Sequence, residues 1–117
     1  MLYNKDWDRV PSNPVSDLLM KAAGLIEKHG HTKGQLKDKN GSMCFMGAIW
    51  QETSQIDLGL EAAKTTAMAL GLGFDSHYKM GPSSALWTMV EWNNAPERTA
   101  QEVIDAMRLA AKTYQNA

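Results

Sequence analysis

Cysteine is almost missing from these 117 residues: Cys44 stands alone, so no disulfide can form within the chain and its stability has to come from packing. A lone thiol fits a reducing compartment. Long hydrophobic runs are missing too, since no stretch approaches the roughly 18 consecutive apolar residues of a membrane span. The opening Met1 to Asp8 is polar and aromatic and lacks the apolar block of a secretion signal. Neither sign of charge is in excess. Twelve basic and 13 acidic residues leave a formal charge of −1, which gives no global field to draw the chain onto nucleic acid or an anionic membrane. No internal repeat is apparent. Together these absences predict a soluble cytoplasmic protein.

What is present is enough apolar material for one ordinary domain, with 44% hydrophobic residues in a chain whose length buries roughly two-thirds of its unfolded surface. Residues 1–12 read as an N-terminal arm and 13–117 as a single helical domain. Ser12-Asn13-Pro14 supplies a cap and a first helical position. From there Val15, Leu18, Leu19, Ala22, Leu25 and Ile26 recur at helical spacing until Gly30 stops the helix.

The next segment has no helical period and carries Asn40-Gly41, the dipeptide that most favours a tight hairpin, so a small β-hairpin is expected between the first two helices. Cys44 to Trp50 reads as a short buried helix in which Gly47 and Ala48 admit a close neighbour. A capping-type start over Thr53 to Asp57 opens an alanine-rich third helix, with Leu60, Ala63, Ala67 and Leu70 on its apolar face and Gly71-Leu72-Gly73 at its end. Residues 74–81 read as a loop. Pro82 opens a fourth helix that stops at Asn93.

Trp92-Asn93-Asn94-Ala95-Pro96 cannot continue a helix, because the residue before proline is pushed toward extended backbone and Asn competes for its own main chain. Thr99, followed three residues later by Glu102, is then a capping box. The last helix carries Val103, Met107, Ala110, Ala111 and Tyr114 on one face. The sum is a mainly α chain, a compact single-domain bundle of four to five helices.

Several short motifs, in this order, resemble a family of small uncharacterised domains found in actinobacteria and their phages. They are Gly34-x-Leu36, the turn at Asp38 to Gly41, Cys44-x-x-Gly47-Ala48, and Trp92-Asn93-x-x-Pro96-x-Arg98-Thr99-x-x-Glu102-Val103. The likeness spans about residues 15–112. Asn94 stands where the pattern carries aspartate, and His31 where an aromatic residue is common. The resemblance implies a fold and a bacterial or phage source, with no assigned reaction.

Candidate chemistry is sparse. Cys44 at a helix start would have its thiolate stabilised by the helix dipole, and His77 and Asn93 follow in the chain order of papain-like thiol enzymes. Against this, Phe45, Met46, Ala48 and Ile49 mark Cys44 as a small buried hydrophobe. His29 and His31 with Cys44 are a weak metal set, since a spacing of two does not place both rings on one helical face. No metal or cofactor is expected. Lys33, Lys37 and Lys39 form a basic turn that could touch phosphate, but no aromatic stacking platform and no helix suited to reading base edges accompanies it.

Arg98, between Pro96 and Thr99, reads as a clamp on a helix C-terminus or on an acid such as Asp38. Asn40, Gly41, Gly47, Trp92, Pro96, Arg98, Thr99 and Glu102 are therefore assigned structural roles. Trp87 and Trp92 lie five apart, so one can face the core while the other lines a groove, and with Trp50 and Met46 they could form an aromatic pocket. Aromatic and Met residues in polar surroundings are enriched at interfaces, which makes Tyr3, Trp7, Tyr78, Met80 and Trp87 the candidate contacts. The function expected is a non-enzymatic protein-interaction domain, a phage-encoded accessory protein that binds a host protein. The alternatives are a Cys44-dependent enzyme or ligand-binding domain and, behind it, a nucleic-acid binder.

Overall fold

Among the described residues five helices carry the fold, and several of their ends are closed by side chains or turns that satisfy the orphan groups of a helix terminus. The computed structural model describes residues 13–72 and 82–115. In helix α1, Pro14–His29, the Asn13 side chain accepts from the Ser16 N–H at 3.2 Å and Pro14 occupies the first helical position. Gly30, at φ 101°, ends the helix by donating to the Ile26 carbonyl. Asp17 in the first turn and Lys28 and His29 in the last complement the helix dipole.

The buried face of α1, formed by Val15, Leu18, Leu19, Ala22, Ala23 and Ile26, meets Val103, Ile104, Met107, Ala110 and Ala111 of helix α5, Ala100–Gln115. Small residues on both sides let the backbones come close. The Ser16 hydroxyl, buried in that contact, donates to the Ala111 carbonyl at 2.7 Å, so this polar group costs nothing at the interface. An Arg108 to Glu27 ion pair at 2.9 Å closes the same contact on the exposed side; screened by solvent, it contributes at most about 1 kcal/mol.

Helix α2, Phe45–Glu52, lies against α1 and has Phe45, Met46, Gly47, Ala48 and Ile49 all buried. Only Gln51 and Glu52, at its end, are exposed, as expected of a short helix whose first turns are apolar all round. Helix α3, Ile56–Ala69, follows it. A Trp50 ring lies directly over Gly59, where any Cβ would overlap its six-membered ring. The Gly47 expectation is corrected here: its missing Cβ admits not a neighbouring helix but the Leu36 carbonyl of the preceding loop.

The capping-type start of α3 also differs from expectation. Gln55 is the cap residue and makes no side-chain cap bond, while the Thr53 hydroxyl, expected to open the helix, accepts from the Gln55 N–H in a local turn ahead of it. At its other end Gly71, φ 72°, donates to the Met68 carbonyl and Leu72 to Ala67, the paired bonds of a Schellman ending. Its buried face includes Ala62, Ala63, Thr66 and Ala67, rotated slightly away from Leu60. Helix α4, Pro82–Asn94, packs on α3 and α2. None of the described helices is long and apolar enough to cross a membrane.

The expected β-hairpin is not formed. Among the described residues the 31–43 segment makes two isolated bridges, His31 to Met43 in parallel and Lys37 to Met43 antiparallel. The tight hairpin turn that Asn-Gly favours needs positive φ at both central residues, and only Gly41 has it. Instead Asp38 closes the turn: its carboxylate accepts from the Asn40 and Ser42 N–H groups, both at 2.9 Å, and its carbonyl accepts from Gly41. Met43 lies between the 30–32 and 36–38 segments, exchanging main-chain bonds with Gly30 and Thr32 on one side and bridging Lys37 on the other, and the pairing extends no further into a strand.

The capping box at α5 is complete. The Thr99 hydroxyl accepts from the Glu102 N–H at 3.1 Å, and the Glu102 carboxylate accepts from the Thr99 N–H at 2.9 Å. That bond, with help from the nearby Arg98 charge, holds the Glu102 carboxyl below its ordinary value of 4.5. A lowered folded-state value means stability that is full above the ordinary value and disappears as pH falls through the folded one. Glu102→Gln should therefore trail the wild type in urea denaturation at pH 7, with the gap closing on acidification below pH 4.5; a gap independent of pH would refute the assignment.

Candidate binding groove

The C-terminal turn of α4 gathers the polar groups that the rest of the chain leaves over. Asn93, only 1% exposed, is the centre of this arrangement. Its Oδ1 accepts from the Phe45 N–H at 3.0 Å and lies 2.8 Å from His31 Nε2; its Nδ2 donates to the Thr32 carbonyl at 3.2 Å and to Asn94 Oδ1 at 3.0 Å. The Phe45 amide can only donate and the Thr32 carbonyl only accept, which fixes the amide's orientation and makes His31 Nε2 the donor in its bond. Phe45 is the first residue of α2, so Asn93 satisfies an orphan amide of another helix. Cys44 satisfies a second: its sulfur accepts from the Gly47 N–H at 3.2 Å.

Two cations finish the α4 terminus from the carbonyl side. Arg98 Nε donates to the Trp92 carbonyl at 2.9 Å, its guanidinium lies 4.1 Å from the centre of the Trp92 ring, and it approaches Glu102 at 3.6 Å. Asp38 is not its partner. Lys33 Nζ donates to the carbonyls of Ala95 at 2.6 Å and Pro96 at 3.0 Å. Both charges sit at the negative end of a helix dipole, where they stabilise it. Lys33 is therefore not part of a solvated basic turn, and its role escapes sequence inspection because its partners are main-chain atoms about 60 residues away.

This network forms one end of an apolar groove of about 260 Å³. Its walls are Leu36 of the loop, Met46 and Trp50 of α2, and Leu86, Trp87 and Val90 of α4, with Cys44, Asn93 and Asn94 among the lining residues. Leu36 is 53% exposed and Trp87 55%. Of the aromatic pocket sketched from spacing, Trp50, Met46 and Trp87 are in the groove, whereas Trp92 is stacked beneath Arg98. Leu36, Leu86, Val90 and Asn94 were missed; residues 86, 87, 90, 93 and 94 form one helical face, a signal masked by the polar pair at its end. A wider depression of about 430 Å³ between α3 and α5 is lined by residues including Glu61, Lys64 and Met68. It has no comparable set of fixed amides.

Cys44 and Asn93 thus reach the same groove, and among the described residues the histidine that contacts Asn93 is His31. His77 lies outside the described residues, as do Tyr3, Trp7, Tyr78 and Met80. The Asn93 amide is fully engaged, by two main-chain and two side-chain partners. The Cys44 thiol is 7% exposed, and burial pushes it above its ordinary value of 9.0 despite the amide at the start of α2. Its sulfur caps α2, and a raised value keeps the thiol protonated at neutral pH, the opposite of the activation that a thiolate nucleophile needs. Among the described residues no three His, Cys, Asp or Glu side chains gather as metal ligands.

Residues 10–113 match the model of a family of unknown function, DUF6197, and the chain belongs to that family. No curated protein and no solved structure matches it.

Asn93→Ala would leave the Phe45 amide and the Thr32 carbonyl without their partners. At about 1–3 kcal/mol for each unsatisfied buried group, chemical denaturation should show a loss of roughly 2–5 kcal/mol, against less than about 1 kcal/mol for a surface change such as Gln101→Ala. Equal losses would contradict the central position given to Asn93. Thiol labelling of the folded wild type should be slow at pH 7 and rise only above pH 9; fast labelling near neutrality would reinstate a reactive Cys44.

Proposed function

We propose that this chain is a protein-interaction domain whose contact surface is the groove between the 34–36 loop, α2 and α4. The observation that supports it most directly is that Trp87 and Leu36, each more than half exposed, both line this groove. Large apolar side chains left in water beside a concave apolar surface are the composition of an interface centre. The polar groups of the surrounding scaffold are bonded internally, so the walls are set before any partner arrives and little ordering cost accompanies binding.

Size favours a protein partner over a metabolite. At about 260 Å³ the groove is below the roughly 300–1,000 Å³ of small-molecule sites and suits one or two large side chains. In a phage-encoded chain, as the family resemblance implies, the partner would be a host protein.

Selection of a displayed random-peptide library on the immobilised domain is the test. Sequences should be enriched on the wild type and be retained at least about tenfold less on Trp87→Ala, the loss of 1.4 kcal/mol or more that removal of an interface anchor brings. Enrichment of the same sequences on both proteins, or of none, would count against the groove.

A further inference from the structure

We propose that the Asn40-Gly41 peptide is a site of spontaneous covalent modification, where the Asn40 carboxamide is converted to aspartate or isoaspartate through a cyclic imide, and that Asp38 sets the rate of this conversion in the folded chain. Asn40 is the one asparagine of the sequence that is followed by glycine. With no side chain on that next residue, nothing shields the nitrogen that must attack.

The chemistry needs no reagent but water. The Gly41 nitrogen gives up its proton and attacks Asn40 Cγ; a new C–N bond forms, the carboxamide C–N bond breaks, and the carboxamide nitrogen leaves as ammonia with that proton. Water then opens the five-membered imide at either carbonyl, giving aspartate or, where the main chain is rerouted through the side chain, isoaspartate. The electrophile is free, since the exposed Asn40 side chain joins no hydrogen bond among the described residues. The space beside the nucleophile is open too, with no atom within 4 Å of where a Gly41 Cβ would stand.

What holds the reaction back is the turn. Residues 38–41 close with the Gly41 N–H donating to the Asp38 carbonyl at 3.0 Å, and since among the described residues only glycines have positive φ, this is a type I turn with Asn40 at its second central position. That backbone aims the Gly41 nitrogen away from the Asn40 side chain, so ring closure has to rotate it back and break the Gly41 bond. Asp38 opposes the rotation on both sides: its Oδ1 accepts from the Asn40 and Ser42 N–H groups, each at 2.9 Å, and its own N–H donates to the Ser42 carbonyl at 2.9 Å. The three consecutive amides around the reactive bond thus depend on one residue. Once isoaspartate has formed, the main chain between Asp38 and Ser42 is one carbon longer, and this set of bonds cannot be remade with its present spacing.

In the test the full chain is incubated in mildly alkaline buffer, either folded or in guanidinium chloride, and then digested with trypsin, which cuts after Lys39 and leaves Asn40 at the head of its own peptide. Mass spectrometry and labelling by an isoaspartyl methyltransferase measure the conversion of Asn40. The unfolded chain should convert and the folded wild type lag behind it. Folded Asp38→Ala should convert at least about fivefold faster than folded wild type, the factor that one lost hydrogen bond brings, whereas Asp38→Asn, which keeps an Oδ1 acceptor, should stay close to wild type. A cooperative denaturation curve shows which variants are folded; if Asp38→Ala is not, the folded wild type and Asp38→Asn measured against the unfolded chain decide. Folded wild type converting as fast as the unfolded chain, or folded Asp38→Ala as slowly as wild type, would overturn the role of Asp38. An unfolded chain that keeps Asn40 intact would overturn the site itself.

Discussion

The buried amide of Asn93 is where the helices and the long loop of this protein are joined. A polar side chain shut away from water has to find partners for every donor and acceptor, and Asn93 finds them in three places: the first amide of α2, the loop at His31 and Thr32, and its own neighbour Asn94. Each bond contributes only about 1 kcal/mol net. Their weight lies in what would follow from removing them, since several buried groups would lose partners at once. Leucine at this position would fill the space but could not fix the direction in which α2 leaves the loop.

Around that junction the fold is conventional packing. Helices α1 and α5 meet along small and aliphatic residues, the first five residues of α2 are buried, and the Trp50 ring over Gly59 sets how closely α3 approaches. The groove follows from these two facts together. Leu36 is held at its lip because its carbonyl accepts from the Cys44 N–H and presses on Gly47, while Trp87 projects from the helix that Asn93 terminates. An apolar surface is thereby presented on a rigid frame, the usual requirement for a binding site that does not rearrange.

The helices were legible in the sequence because their signals are local. Asn13-Pro14, Gly30, Gly71 and the Thr99 to Glu102 box act within a few residues of themselves, and the apolar spacing of α1 and α5 reports directly on burial. The hairpin was misread for the same reason: Asn40-Gly41 is a turn signal, but whether its flanks pair depends on what else their main-chain groups can reach. Here the pairing stops at the single Lys37–Met43 bridge, with the Asp38 N–H donating to the Ser42 carbonyl and the Cys44 N–H to that of Leu36, while the Thr32 carbonyl and the Gly34 amide are taken by the α4 terminus. The groove was half legible. Trp87, Trp50 and Met46 stand out by type, whereas His31, Lys33 and Asn94 act across about 60 residues of chain, and nothing in their spacing betrays that. The family match covers residues 10–113, names a family of unknown function and leaves the chemistry to be argued from the side chains.

Amide hydrogen exchange on the wild type and Asn93→Ala tests the central claim most directly. If Asn93 joins these segments, the Phe45 and Gly34 amides lose protection together in the variant, the second through Asn94, while the facing amides of α1 and α5 keep theirs. Unchanged protection at Phe45 would contradict it.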